Sequence, residues 1–372
     1  MKEIALFGAP HSLYTGRARS YLIKAAIPYR EQNMGSQHYG RDVLPKAGGR
    51  PGMPTIETTN GDVIRDSAAI IDHFEAETGH PFSPLTPKQR FISRLFDTIG
   101  AEGMLRPAMH YRWNFPEENE AFLKFHFEAM MPQRPDKVAW AEAARNDMRG
   151  AAQIFGVNPE TTELVEKLYL DVVEALNNHF DAYPYLLGGK PCIGDFGLIA
   201  PMFAHLGRDP KPLSILQSQA FSVLRWIERM GRLDADVAEY VDPSQGFLDG
   251  DQIPDTLLEV LKTVAVDFVP ETRAAADTIN RWLKEQENLE AGTTVERGLG
   301  FSTFEIDGVT VSALAQPYRF YLLKRMQDEF EQMIDADKNE TIALLDRCNM
   351  GDVIDIKLTR EIGRNNNLEV WL

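Results

Sequence analysis

The chain has 372 residues, a length that suggests two or three domains. Its 39 Lys and Arg against 55 Asp and Glu leave a formal net charge of −16. That balance excludes a general nucleic-acid binder and a surface drawn to anionic lipid, since both need clustered cations. Two cysteines, Cys192 and Cys348, exclude a disulfide framework and any zinc site built from three or four cysteines. No apolar run approaches the roughly 20 residues of a membrane span. The apolar stretch Ile4–Ala9 is too short for a signal-peptide core, so a cytoplasmic protein is expected.

The first residues alternate in type. Glu3–Gly8 reads as a buried strand, Arg17–Ala26 as a helix with Ala18, Tyr21, Leu22 and Ala25 on one stripe, and Tyr29–Gln32 as a second strand. Pro54–Glu57 and Val63–Arg65 are short β-prone runs. The segment between them holds Asn60-Gly61-Asp62, a strong hairpin signal. Ser67–Thr78 reads as an amphipathic helix closed by Gly79. The order β-α-β, a variable segment, then β-β-α suits a small mixed sheet with helices.

Pro81–Pro87 is a proline-rich connector. Beyond it the apolar spacing is helical for about 160 residues. It predicts helices over Lys88–Tyr111, Glu117–Met131, Lys137–Phe155, Glu160–Phe180, Asp195–His205 and Ser218–Met230. A loop at Asp242–Asp251 marks another boundary. Asp251–Leu372 carries 23 acidic and 13 basic residues, ten of the sixteen excess negative charges. There, Leu257–Val269 and Glu271–Gln286 read as helices, Thr293–Val311 as a hairpin turning at Asp307-Gly308, and Pro317–Ile334 as an amphipathic helix. Asp335–Asp346 has acids at calcium-loop positions, but Glu340 stands where the turn needs glycine, so a helix start is expected instead. The eight histidines form no H-E-x-x-H, and no metal site is expected. The expected domains are 1–83, 88–250 and an extension over 251–372.

Three local features carry chemistry. Ser12 lies between the first strand and the first helix. It can cap that helix, or donate a hydrogen bond to an anion held at the helix N-terminus. Tyr14 is the rival hydroxyl. Met53-Pro54 opens a strand, and a cis bond there would turn the Met53 main chain outward to pair with a peptide-like ligand. Asp66-Ser67 stands at the mouth of a helix. The pair can cap it, or hold the ammonium and carboxylate of an α-amino acid.

In order and spacing these features resemble the cytosolic glutathione transferases, with Ser12…Arg17-Ala18-Arg19, Pro54 and Asp66-Ser67 at that family's motif positions. Leu186–Phe196 resembles the family's buried capping box, with Asp195 present and Cys192 replacing the usual hydroxyl. Leu224–Met230 is similar to its W-x-x-R. The likeness spans about Met1–Met230, with Leu13 standing where many members have proline. It implies a thioredoxin-like N-terminal domain of α+β type, then an all-α domain, with an added α/β extension.

The resemblance implies glutathione as co-substrate, no metal, and a homodimer. Ser12, with Tyr14 as alternative, would activate the thiol. Met53 and Pro54 would present the main chain to the cysteinyl unit, Asp66 would take the γ-glutamyl ammonium and Ser67 its carboxylate. Arg50, Lys46 and Gln37 are candidates for the glycyl carboxylate. Tyr14, Met104, His110, Tyr111 and Trp113 are candidates for the electrophile pocket, although aromatics at helical spacing are usually core. Ser at the first turn, without cysteine, excludes dithiol chemistry. Two alternatives stand beside the transferase: an inactive relative that binds partners through its acidic extension, and a glutathione-dependent isomerase, lyase or dehalogenase.

Overall fold

In the computed structural model, residues 3–372 are described. Strand β1 (Ile4–Phe7) is buried along its whole length. Helix α1 (Leu13–Lys24) follows a turn, and β2 (Tyr29–Gln32) returns parallel to β1. β3 (Thr55–Glu57) and β4 (Val63–Arg65) form an antiparallel hairpin, with β3 antiparallel to β1. The sheet order is β2-β1-β3-β4. Helix α2 (Ser67–Thr78) ends at Gly79 in the left-handed conformation, the usual glycine C-cap. This is a thioredoxin-like mixed sheet in the order expected from the residue pattern.

The helical domain comprises α3 (Pro87–Thr98), α4 (Leu105–Trp113), α5 (Pro116–Met130), α6 (Lys137–Gly150), α7 (Thr162–Ala182), α8 (Ile193–Pro201), α9 (Pro210–Gln219) and α10 (Phe221–Met230). The helix expected over Lys88–Tyr111 is broken by a π-helical turn, Ile99–Gly103. The cause is a crossing with α8. A Cβ on Gly100 would lie 2.2 Å from the Gly197 carbonyl carbon, and one on Gly197 would lie 2.4 Å from the Asp97 Cα. Two backbones meet there with no room for a side chain. Helix α9 lies where no helix is predicted from the sequence, between His205 and Ser218. Pro210 occupies the first helical turn, where a missing N–H costs nothing.

The extension is one helix, two hairpins and two further helices. α11 (Asp255–Glu285) runs unbroken through Pro270, where two helices were expected. Its apolar stripe from Leu257 through Val264 and Phe268 to Leu283 is buried on both sides of the proline, and that burial outweighs a cost of roughly 3 kcal/mol for the lost bond. β5 (Phe301–Ile306) and β6 (Val309–Leu314) pair across Asp307-Gly308 as predicted. α12 (Tyr318–Glu331) is followed by α13 (Asp335–Arg347), so the acidic calcium-loop candidate is a helix. No cluster of His, Cys, Asp and Glu suited to a metal occurs among the described residues. The hairpin β7 (Ile362–Asn365) and β8 (Leu368–Trp371), turning at Asn366-Asn367, was not anticipated.

The extension is not an appendage. Leu257, Leu261, Phe268, Leu323, Met326 and Trp371 belong to the same apolar core as Leu6, Tyr21, Phe96, Phe196 and Trp226. Asp251 also caps α3 from a distance, its carboxylate accepting from the N–H groups of Lys88 (2.9 Å) and Gln89 (2.8 Å). Thr86, at the N-cap position, makes no such bond. Among the described residues no helix is long and apolar enough to cross a membrane.

Candidate functional site

The strand register gathers three separate segments at one end of the sheet. Phe7 pairs with Thr55 and Thr55 with Arg65. The residues after β1, before β3 and after β4 therefore lie side by side, and these hold Ser12, Met53-Pro54 and Asp66-Ser67. The Met53–Pro54 peptide is cis, and Asp66 N–H donates to the Pro54 carbonyl at 3.0 Å. The Met53 main chain makes no hydrogen bond among the described residues.

Ser12 is the N-cap of α1, with its Oγ accepting from the Thr15 N–H at 3.4 Å. An accepting hydroxyl keeps its own proton to donate. The turn that carries it is tied down on all sides. Arg19 donates to the Ala9 carbonyl (3.3 Å), Arg112 to that of His11 (3.1 Å) and Arg208 to that of Pro10 (3.3 Å). Arg112 is itself held by Asp209, and Arg19 by Glu31. Burial, then Arg112, His126 and Arg208, lowers the His11 pKa to about 3, so this imidazole is neutral. With Arg112 and Arg19 neutralised by their carboxylates, the surroundings of Ser12 combine a helix N-terminus with the Arg208 guanidinium, which has no carboxylate partner among the described residues, a setting that favours an anion.

Tyr14 turns the other way. Its hydroxyl donates to the Ala101 carbonyl and the Glu102 carboxylate, both at 3.1 Å, and burial pushes its pKa up. Its proton is already committed inside the helical domain. Glu102 sits in the π-helical turn, and burial raises its pKa to about 7 from the ordinary 4.5. The folded state therefore holds this proton between pH 4.5 and 7, where the unfolded chain has lost it. Stability is expected to fall as pH rises through that window, by up to roughly 3 kcal/mol. Urea titrations at pH 5 and pH 7.5 check this, with Glu102→Gln expected to lose less stability over the interval than the native chain. An equal loss in both would remove Glu102 as the cause.

The electrophile wall expected from α4 is not there. All nine residues of α4 are buried, because neighbouring helices cover every face. His110 bonds Glu166 through Nε2 at 3.0 Å, Tyr111 stacks on Phe115, and Trp113 packs near Phe127. Met104 borders a cavity of about 20 Å³ with Arg106, Tyr169 and Asp267, room for little more than one water. These four residues are core.

Of the loop candidates, Gln37 is exposed. Lys46 donates to the Gly61 carbonyl (2.9 Å) and Arg50 to that of Val295 (3.3 Å). Asp66 has φ +90°, unusual for any residue but glycine. Its Oδ1 caps α2 by accepting from Ala68 (2.9 Å) and Ala69 (3.1 Å) N–H. Ser67 is fully buried, its Oγ near Arg17 Nη1 at 3.5 Å.

Sequence reasoning missed what the extension brings here. Tyr318 donates its hydroxyl to Asp66 Oδ2 at 2.8 Å, and Arg364 Nη1 lies 3.8 Å from Oδ1. Asn367, in the unanticipated turn, accepts from Arg65 N–H (3.0 Å) and donates to the carbonyls of Val63 (2.9 Å) and Lys46 (3.0 Å). Arg65 also pairs with Glu369. Consecutive asparagines are a turn signal, and would have located the hairpin but not its partner.

Residues 6–82 match the family described as the glutathione S-transferase N-terminal domain. This chain carries a glutathione S-transferase N-terminal domain. No curated protein sequence matches the chain. Among solved structures, a glutathione transferase from Phanerochaete chrysosporium is similar at 15% identity and TM-score 0.44, over 65% of this chain and 99% of its own. The β-etherase LigF of Sphingobium sp. strain SYK-6 is similar at 14% identity and TM-score 0.42, over 64% of this chain and 98% of its own. A glutathione S-transferase from Methylobacterium radiotolerans, in complex with glutathione sulfonate, is similar at 14% identity and TM-score 0.38, over 67% of this chain and 99% of its own.

Proposed function

We propose that the chain is a glutathione-dependent transferase in which Ser12 stabilises the glutathione thiolate. The observation that carries this is the placement of a Ser12 hydroxyl proton, uncommitted among the described residues, at the N-terminus of α1, at the sheet end it shares with Met53 and Asp66. A free thiol has a pKa near 8.5, so only a few per cent is ionised at neutral pH. Lowering it by about two units needs about 2.7 kcal/mol of preference for the thiolate. A hydroxyl donor, a helix N-terminus and the nearby Arg208 guanidinium are the kinds of interaction that supply it. The thiolate would then attack an electrophile, its sulfur forming the new bond as the leaving group departs with the electron pair.

In this reading Met53 offers its main chain to the cysteinyl unit, and Asp66 and Ser67 face the γ-glutamyl end. The electrophile approaches over Arg208, which donates to the Pro10 carbonyl, and over the half-buried Phe122 and Phe203 rings beneath its guanidinium. A homodimer remains the proposed assembly. The test is a thiolate titration. The ultraviolet absorbance of glutathione, saturated with protein, is followed against pH. The expected midpoint lies at least one unit below 8.5. A midpoint unmoved by the protein would overturn thiol activation and favour a binding protein.

A further inference from the structure

The two ends of the site differ in access. At the thiol end Ser12 and Met53 are partly exposed, and the Met53 main chain has no hydrogen bond among the described residues. At the amino-acid end Ser67 has no exposed surface, and both oxygens of Asp66 already accept hydrogen bonds. The occupant of Asp66 Oδ2 is Tyr318, the first residue of α12. One turn on, Leu322 packs between Ala68 and Ala101, so α12 holds the tyrosine against this site. A phenol donating to a carboxylate at 2.8 Å makes the same kind of bond as a ligand ammonium would. Behind Ser67, the buried Arg17 pairs with Asp97 at 2.5 Å but keeps its Nε without an acceptor among the described residues.

Resting on the glutathione reading above, we propose that Tyr318 sets ligand selectivity, its hydroxyl standing on Asp66 where the ligand's ammonium would bind. The γ-glutamyl end of glutathione then enters only by displacing Tyr318, exchanging one hydrogen bond to a charged group for another. The cysteinylglycine part binds at the open thiol end without that exchange. The intact chain therefore gains little affinity from the γ-glutamyl group.

Calorimetry on the full chain, with glutathione and with the dipeptide Cys-Gly, tests this. The native protein is expected to bind the two within about threefold. Tyr318→Phe removes only the hydroxyl and is expected to tighten glutathione about tenfold, leaving Cys-Gly unchanged. Tyr318→Ala also opens the space of the ring and is expected to tighten glutathione at least as much, a melting scan confirming that it folds. A native preference for glutathione of about tenfold or more would overturn the proposal. So would weaker or unchanged glutathione binding by Tyr318→Phe, or an equal change for both thiols. Binding of neither thiol by any form would overturn the glutathione reading itself, and this inference with it.

Discussion

Ser12→Ala is expected to lower the turnover of glutathione with an activated aryl halide by about 100-fold, the usual loss when one preorganised donor to a developing or bound anion is removed. The pH dependence carries the mechanism. If Ser12 holds the thiolate, the apparent pKa of kcat/KM moves up towards the free-thiol value in the variant, and activity recovers at alkaline pH. The substitution also removes the N-cap of α1, at a cost of about 1 kcal/mol, which by itself could lower activity by loosening the turn. Ser12→Gly separates the two effects, because glycine at an N-cap costs only a few tenths of a kcal/mol. Both variants are expected to lose turnover, and only the alanine to lose stability. Full turnover in both would remove Ser12 from the chemistry. Tyr14 would be a poor replacement, since its proton is given to Ala101 and Glu102.

What was readable beforehand was what local pattern records. β1 to α2 followed from short apolar runs, the Asn60-Gly61 turn and the Gly79 stop, and the structure has these elements within a few residues. Ser12, Met53-Pro54 and Asp66 stand out only jointly, by an order and spacing that resemble one family, because taken singly Ser12 and Asp66 read as helix caps, which they also are. Local pattern failed where contacts over long sequence distances decide. The π-helical turn at Ile99–Gly103 depends on Gly197, and the long α11 on burial across Pro270. The aromatic residues of α4 read as a pocket wall or as core. The choice rested on neighbours that cover the helix. The partner of Asp66 lies 252 residues away in the chain, and nothing near Tyr318 marks it as a site residue.

That long-range dependence gives the second large effect. A chain ending at Gly250 is expected not to fold. It would lack Asp251, the cap of α3, and all of α11, whose Leu257, Leu261 and Phe268 fill the common core. Gly103 lies so close to Phe268 that a Cβ there would be 2.7 Å from the ring, a measure of how tightly the extension is fitted. Removing it would expose apolar surface from α3, α7 and the Ile99–Gly103 turn at once, and each large side chain so exposed forfeits about 1.5–3 kcal/mol. Five or more such losses reach the 5–15 kcal/mol that holds an ordinary domain together. A graded version makes the same point in a foldable protein. Trp371, the penultimate residue, is 1% exposed and stacks on Trp282 at 5.9 Å. Trp371→Ala is expected to cost about 3–5 kcal/mol in urea titration. A truncated chain that unfolds cooperatively, with a Trp371→Ala cost below about 1 kcal/mol, would mean that the extension is a separate unit resting on the two domains before it. In that case Tyr318 would be held against Asp66 only by surface contact, and its grip on the amino-acid end of the site would be loose.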